Sequence, residues 1–502
     1  MDKLIFIKEM LYLIVWHLFL FIEKLLFCSV NLLENCIKCG KKILENCKFS
    51  AIILLENCKG GAFVFKRKIE KTIQGYFYSE KEKILVIDGA RQIGKTYIVR
   101  KLSKEAFNNY VEINLKDDYY GDRLFENVKT TRDFYIQVSS LPNASLNTRE
   151  DTIIFLDEIQ VYPHLLTMLK ALNQERRYTY IVSGSLLGIT LTHTFIPMGS
   201  IDEVKMYPMD FEEFLWANNV GIEAIDYLKE CFKEMKPINE SIHLNFLKKF
   251  KEYLICGGLP DAVKEFVINN NVNRMRSVHE QTYNYYNDDC SQYDLEHKLK
   301  IKRIYGMMPS YMENKVKRIQ ASKIDEDKHS RIEKYHEEFD YLINSGIALS
   351  VKAVSNPKFP LIESSSKNLI KLYFNDVGLL SYILFKSNIR AILDYDSGIN
   401  LGSLYETVCA MELKAHGHDL YYFDSKKVGE VDFIINDYDD LTVLPIEIKS
   451  GNDQNYFKAI PKLVSIDGNY KMKKGYVFGN KNIVKIDNNL ITLPIYLIMF
   501  IQ

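Results

Sequence analysis

The chain lacks net charge: 65 Lys and Arg are balanced by 65 Asp and Glu. Global electrostatics therefore say nothing about nucleic acid, and any basic surface has to be local. A cysteine framework is also missing. Of nine cysteines, only Cys231, Cys256, Cys290 and Cys409 lie beyond residue 58, and they are scattered. That pattern fits a reducing compartment and excludes a disulfide scaffold. The amino-terminal apolar run Met10 to Ile22, interrupted by His17, falls short of the ~20 residues needed to span a bilayer. What is present is a globular composition, 47% hydrophobic and 13% aromatic. At 502 residues the chain is too long for one core, and its length suggests about three domains.

The first sixty residues stand apart. Leu33-Glu-Asn-Cys36, Leu44-Glu-Asn-Cys47 and Leu55-Glu-Asn-Cys58 recur with a period of 11. An expanded short repeat explains these cysteines more simply than zinc does, because the spacing matches no zinc module. A signal-like helix, a membrane-surface helix and translated sequence upstream of the true start all fit Met10 to Ile22. We expect residues 1–62 to be a poorly ordered extension.

Residues Gly89, Ala90, Arg91, Gln92, Ile93, Gly94, Lys95 and Thr96 form a complete G-x-x-x-x-G-K-T phosphate-binding loop. It follows the apolar run Ile84 to Ile87 and precedes Tyr97 to Leu102, so strand, loop and helix stand in the required order. Glycines let backbone N–H groups wrap phosphate oxygens, and the helix N-terminus adds partial positive charge. Lys95 would reach the β- and γ-phosphates of ATP, and Thr96 would sit on Mg²⁺.

Downstream, Asp151 to Ile159 is an apolar strand ending in Asp157 and Glu158. Asp157 would hold Mg²⁺ through water, and Glu158 would orient or deprotonate the attacking water. A third strand, Tyr178 to Ser183, ends in Ser183-Gly-Ser185. Ser183 is either a γ-phosphate sensor or part of an ordinary turn.

A second constellation lies between residues 400 and 451. Glu406 falls on an amphipathic helix with Leu404, Val408 and Met411 on its apolar side. Val431 to Ile435 reads as a strand, Asn436 to Asp440 as a turn, and Val443 to Lys449 as the returning strand. Glu447 and Lys449 are two apart on a strand and share a face, where Asp432 can meet them. The set resembles a restriction-type nuclease core, in which Asp432 and Glu447 would hold Mg²⁺, Lys449 would orient water or stabilise the phosphorane, and Glu406 would be an accessory acid. The other reading is a charged strand face whose Glu447 and Lys449 neutralise each other.

The middle of the chain is helical. Asn245 to Leu254 has apolar residues at helical spacing, and the Gly257-Gly258 pair ends it. Residues 297–361 read as helix, turn, helix and short hairpin, with Ser330 to Asn344 a helix, Gly346 its C-cap and Ile347 to Val354 a strand. Lys298, Lys300, Lys302, Arg303, Lys315, Lys317, Arg318 and Lys323 form a local basic run. It is either a solvated helix face, offset by Glu296, Glu313 and Asp325 to Asp327, or a contact to the phosphate backbone of DNA.

Together these segments resemble the AAA+ branch of P-loop ATPases. More narrowly, they resemble a prokaryotic ATPase family with the elements GARQxGKT, FLDEIQ and SGS. The resemblance continues through Tyr207-Pro-Met-Asp-Phe-Glu-Glu-Phe-Leu215, Gly257-Gly-Leu-Pro260, Leu372 to Leu380, Glu430-Val-Asp-Phe433 and Pro445 to Lys449. Many members carry Gly-Arg before the Tyr-Pro segment, a candidate arginine finger; here Gly199-Ser200 stands instead. The resemblance implies an α/β chain: an AAA+ P-loop domain with a parallel sheet over 63–218, a helical lid over 219–280, a winged-helix-like region over 281–365 and a restriction-endonuclease-like PD-(D/E)xK domain over 366–502. It implies ATP and Mg²⁺ as cofactors, DNA and a second copy of the chain as candidate partners, and the cytoplasm as location, since an exported ATPase would have no ATP.

Overall fold

The computed structural model describes residues 65–502 apart from 81, 143, 186–198, 290–294, 315–316, 325–330, 395–398, 452–458, 466–471 and 486–489. The repeat, Met10 to Ile22, Cys290, Lys315 and Asp325 to Asp327 therefore lie outside the described residues.

The apolar runs flanking the phosphate loop become strands of one parallel sheet. Its strands are β1 (Ile84–Asp88), β2 (Asn109–Asn114), β3 (Thr152–Asp157), β4 (Thr179–Gly184) and β5 (Ile201–Lys205), in the order β2-β3-β4-β1-β5. β1, β3 and β4 are buried at every position. Helices covering both faces of a parallel sheet produce this continuous burial. Helix Lys95–Ala106 follows β1, and helix Pro163–Gln174 joins β3 to β4, with Pro163 pre-set for its first turn. Because β4 lies between β1 and β3, the carboxyl ends of all three meet at one edge. That edge is where open α/β sheets bind ligands.

A second sheet carries eight strands. These are β6 (Ala348–Val354), β7 (Ser365–Phe374), β8 (Tyr421–Ser425), β9 (Gly429–Asp437), β10 (Thr442–Ile448), β11 (Gly475–Gly479), β12 (Val484–Lys485) and β13 (Leu490–Pro494). Their order is β12-β13-β11-β10-β9-β8-β6-β7. The hairpin β6–β7 thus shares one sheet with the β9–β10 pair that bears Asp432 and Glu447.

Two local expectations are corrected. The helix bearing Glu406, Gly402–Ala415, is not amphipathic: every residue from Ser403 to Leu413 is buried. Polar Glu406, Thr407 and Glu412 are compatible with that burial because each has a hydrogen-bond partner. The helix read over Ser330 to Asn344 is shorter. A 3₁₀ turn at Ile332–Tyr335 precedes the α-helix His336–Asn344, and Gly346, at φ +73°, follows as the expected C-cap.

Three sequence segments converge on one buried carboxylate. Asp376 is fully buried. Its Oδ2 accepts from Gly258 N–H at 2.6 Å and its Oδ1 from Leu379 N–H at 3.1 Å, and the N–H groups of Leu259 and Gly378 bond it as well. Gly258 in turn accepts from Met209 N–H at 2.7 Å. A Cβ on Gly258 would lie 2.0 Å from Met209 O, so no larger residue fits without moving backbone. Tyr253 Oη donates to the same Met209 carbonyl at 2.7 Å. The Tyr207 segment, the Gly-Gly-Leu-Pro loop and the Asn-Asp-Val-Gly segment are therefore bolted together.

Burial raises the Asp376 carboxyl to about 6, against the pull of those N–H donors. An unfolded aspartate titrates near ~3.9. Folding therefore favours the protonated form, and the stability this adds is present below ~3.9 and lost as pH rises through about 6. Asp376→Asn should cost about 1–3 kcal/mol at neutral pH, because an amide cannot accept from all the donors. In urea unfolding, the gap between wild type and variant should widen as pH falls from 7.5 to 5. A gap that narrows on acidification would contradict this account.

Candidate functional site

The loop Gly89 to Thr96 turns between β1 and its helix through positive φ at Gln92 (+63°) and Gly94 (+94°). Gly89 is also required for space: a Cβ there would lie 2.3 Å from Met206 O. The helix that follows has no side-chain cap at Gly94, so its first N–H groups face the loop and suit an anion. Lys95 is buried and donates to Gly89 O and Ala90 O, both at 2.8 Å. Burial lowers its pKa, while Glu158, Asp157 and Asp88 act to raise it.

The acids predicted to support hydrolysis sit beside the loop. Thr96 Oγ1 donates to Asp157 Oδ2 at 2.7 Å, and Ser183 Oγ donates to Asp157 Oδ1. Thr96, Asp157 and Ser183, taken from three separate sequence segments, form one chain of oxygens. Such oxygens suit a hard divalent cation. Burial raises the Asp157 carboxyl, partly offset by those two hydroxyls. Glu158 takes left-handed φ +58°, a conformation that non-glycine residues adopt at a cost. Its Oε2 accepts from Gln160 Nε2 at 2.5 Å and Ser185 Oγ at 3.1 Å, and lies 3.7 Å from Arg91 Nη2. Ser185, rather than Ser183, thus contacts Glu158.

Two features of this site escaped sequence reasoning. Arg67 donates to Ile93 O at 3.0 Å and Tyr207 O at 2.7 Å, and its Nε lies 3.0 Å from Glu213 Oε2. It fastens the phosphate loop to the Tyr-Pro segment, yet no motif spacing points to it. Helix Val272–Asp289 also packs on the loop: Thr282 Oγ1 donates to Gln92 Oε1 at 2.5 Å and Tyr286 Oη to Arg91 O at 2.7 Å.

The second candidate face is also assembled. β9 and β10 pair antiparallel. Asp432 accepts from Ile448 N–H at 2.8 Å, and Lys449 Nζ lies 2.7 Å from Glu447 Oε1. Glu406 and Lys449 both lie close enough to act on Asp432 by charge, and Glu447 and Glu406 act likewise on Lys449. Burial, then Glu406, raises the Asp432 carboxyl to about 7. Burial pulls Lys449 down, but Asp432 and Glu447 overcome it and hold the ammonium above its ordinary range. Glu447 Oε2 is buried with no hydrogen-bond partner, a position a cation would fit. Glu406 is already engaged: Tyr373 Oη donates to it at 2.9 Å and Lys317 pairs with it. Lys371, buried on β7, pairs with Glu430 and also acts on Asp432; sequence reasoning missed both Lys371 and Tyr373.

The basic run does not form one free stripe. Lys302 pairs with Asp288, Lys317 with Glu406 and Arg318 with Asp424. Lys323 lies over the ring of Tyr311. Among the described residues no helix is long and apolar enough to cross a membrane.

Comparison with known proteins agrees with this geometry in the first half. Residues 81–215 match the model of an AAA domain. Those residues form an AAA-type P-loop domain. Residues 247–390 and 401–498 match two models, each described as a domain of unknown function. The first of these crosses the expected boundaries at 280 and 365. No curated protein matches the chain. Among solved structures, a Walker-type ATPase of Pyrococcus abyssi is similar at 14% identity, over 63% of this chain and 95% of that one, with a TM-score of 0.36. The Aeropyrum pernix Orc1 protein in complex with DNA is similar at 15% identity, over 66% and 93%, with a TM-score of 0.27. The RuvB Holliday junction branch migration motor of Thermotoga maritima is similar at 13% identity, over 57% and 89%, with a TM-score of 0.26.

Gly89→Ala should displace the loop against Met206. ATP affinity, read by titration with a fluorescent ATP analogue, should fall on the order of tenfold or more, since an ångström-scale displacement degrades preorganised contacts. Wild-type affinity in this variant would show that the loop is not the nucleotide cradle.

Proposed function

We propose that the chain is a Mg²⁺-dependent ATPase whose nucleotide cycle controls the face at Glu406, Asp432, Glu447 and Lys449. The observation that carries the reading is the Thr96–Asp157–Ser183 chain of oxygens directly beside the phosphate loop. Backbone N–H groups of residues 89–96 would hold the phosphates, and Lys95 would move from its loop carbonyls to the β- and γ-phosphates. Thr96 and Asp157 would hold Mg²⁺, which neutralises charge on the phosphoryl oxygens. Glu158 orients the attacking water, and Ser183 senses the γ-phosphate. On the second face, Asp432 and Glu447 would hold Mg²⁺ with Lys449 beside them, in a nuclease-like arrangement acting on DNA. ATP places this work in the cytoplasm. Gly199-Ser200 stands here where many members of the resembled family carry Gly-Arg, so no arginine finger is assigned to that position.

A specific observation favours a second reading for the carboxy-terminal face. Glu406 is neutralised by Lys317 and Glu447 by Lys449. In that reading ATP drives a switch with negligible turnover, and the face binds a protein or DNA without cutting.

The deciding assay is Mg²⁺-dependent ATP turnover by the full chain, with and without duplex DNA. Lys95→Ala should abolish turnover, and Glu158→Gln should reduce it by roughly 10²–10⁴-fold while ATP still binds. Asp432→Ala should leave turnover intact and remove any DNA cleavage. Tight ATP binding with no turnover, and partner binding that survives Glu158→Gln, would replace the ATPase reading with the switch.

A further inference from the structure

The phosphate loop contains an arginine that the roles above leave unused. Arg91 is buried, 7% exposed, and its guanidinium reaches Ser185, Tyr285 and Glu158. Nε donates to Ser185 Oγ at 2.9 Å, Nη1 donates to Tyr285 Oη at 2.8 Å, and Nη2 lies 3.7 Å from Glu158 Oε2. Ser185 in turn donates to that same Glu158 oxygen. Arg91 therefore acts on Glu158 twice, by charge and through the Ser185 hydroxyl. A planar fork can hold two such partners in fixed directions, which an ammonium cannot.

The other side of Arg91 is set from outside the AAA domain. Tyr285 lies on helix Val272–Asp289, and its hydroxyl accepts from both Arg91 and Lys116, the latter at 3.2 Å. The guanidinium also lies 5.5 Å from the Tyr285 ring centroid, in cation–π range. The same helix reaches the Gly257–Gly258 turn: Arg276 donates to Ile255 O at 3.2 Å, and His279 Nε2 meets Cys256 O at 2.9 Å. Arg276 also donates to Ser381 Oγ at 3.1 Å, on helix Val377–Phe385. One helix thus touches Arg91 near one end and the Asp376 junction near the other.

We propose that Arg91 is the positioning residue for Glu158, supplied within the same chain, and that Tyr285 sets its direction. Helix Val272–Asp289 then couples the carboxy-terminal half to hydrolysis by moving Tyr285 relative to Arg91. This rests on the ATPase reading and adds to it the element that regulates Glu158.

The test is steady-state ATP turnover of the full chain carrying Arg91→Ala, Arg91→Lys or Tyr285→Phe. Arg91→Ala should lower kcat on the order of 10²-fold, the size expected for a misplaced catalytic group, with KM for ATP nearly unchanged. Arg91→Lys should restore part of kcat. Tyr285→Phe should lower kcat by about tenfold, because the ring remains but the hydroxyl that orients the fork is gone. Because Arg91→Lys and Tyr285→Phe are conservative, they keep the test open if Arg91→Ala fails to fold. Wild-type turnover that all three variants retain overturns the inference alone. So does a loss confined to KM, which would make Arg91 a ground-state ATP ligand. Wild-type kcat in Tyr285→Phe, beside a damaged Arg91→Lys, overturns the helix coupling. An inactive wild-type chain overturns the ATPase reading itself, and this inference with it.

Discussion

A buried carboxylate that collects backbone N–H groups is the constraint on which much of this fold depends. Asp376 is fully buried, and its ordinary partners would be cations. Instead it takes N–H donors from the turn at Gly258 and from the start of its own helix. A carboxylate so placed works as a bracket, since each donor it satisfies is backbone that a side-chain rearrangement cannot withdraw. The bracket fixes the Gly-Gly-Leu-Pro turn. The turn fixes Met209 through paired backbone contacts, and Met209 precedes Asp210, which caps helix Phe211–Ala217. From there Glu412 on the buried carboxy-terminal helix accepts Phe211 N–H at 2.7 Å. The P-loop domain and the second sheet are thus joined by hydrogen bonds to backbone, whose geometry tolerates little drift.

That junction changes what the phosphate loop is. In isolation a G-x-x-x-x-G-K-T loop needs only a strand before it and a helix after it. Here Arg67, Thr282 and Tyr286 hold three of its residues from elements well outside it, and a Cβ on Gly346 would sit 3.1 Å from Ala90 N. A loop gripped from several sides is preorganised, which lowers the cost of ordering it around a ligand. The same grip makes it responsive, because a shift in any gripping element is felt at Arg91 and Gln92.

How much of this was legible in the sequence follows from how local each signal is. β1, β3 and β4 were readable because a parallel strand buried on both faces leaves an unbroken apolar run. The phosphate loop was readable because its backbone demands glycine at fixed positions. Glu447 and Lys449 could be read as a pair because a spacing of two at a strand's end gives one face, whereas Asp432 comes beside them only through the pairing of β9 with β10. The partners that define each site were not legible. Arg67 meets Tyr207 across 140 positions and Lys317 meets Glu406 across 89, and no local pattern encodes such pairings. The Glu406 helix misled for a related reason: its polar residues look like a wet face, but Glu406, Thr407 and Glu412 each find a hydrogen-bond partner inside the protein. The hairpin β6–β7 gave no hint that it would share a sheet with β9 and β10, because edge pairing depends on packing that a single strand does not record.

The two acidic clusters are built from different neighbours, and the difference bears on what each can do. Asp157 is flanked by hydroxyls, Thr96 and Ser183. A hydroxyl can turn its lone pairs toward an arriving cation, so charge can enter without any like charge having to leave. Glu406 and Glu447 are instead flanked by ammonium groups, Lys317 and Lys449. A cation arriving there meets positive charge at short range; Glu447 Oε2 has no hydrogen-bond partner, and the oxygens paired with Lys317 and Lys449 open only if those lysines swing away. Lys317 stands on the irregular stretch between helix Leu295–Glu313 and the 3₁₀ turn Ala321–Lys323, where a swing disturbs little regular structure, whereas Lys449 directly follows β10. The acid of the nucleotide site is thus lined by hydroxyls, whereas the carboxylates of the second face are partly held by lysines.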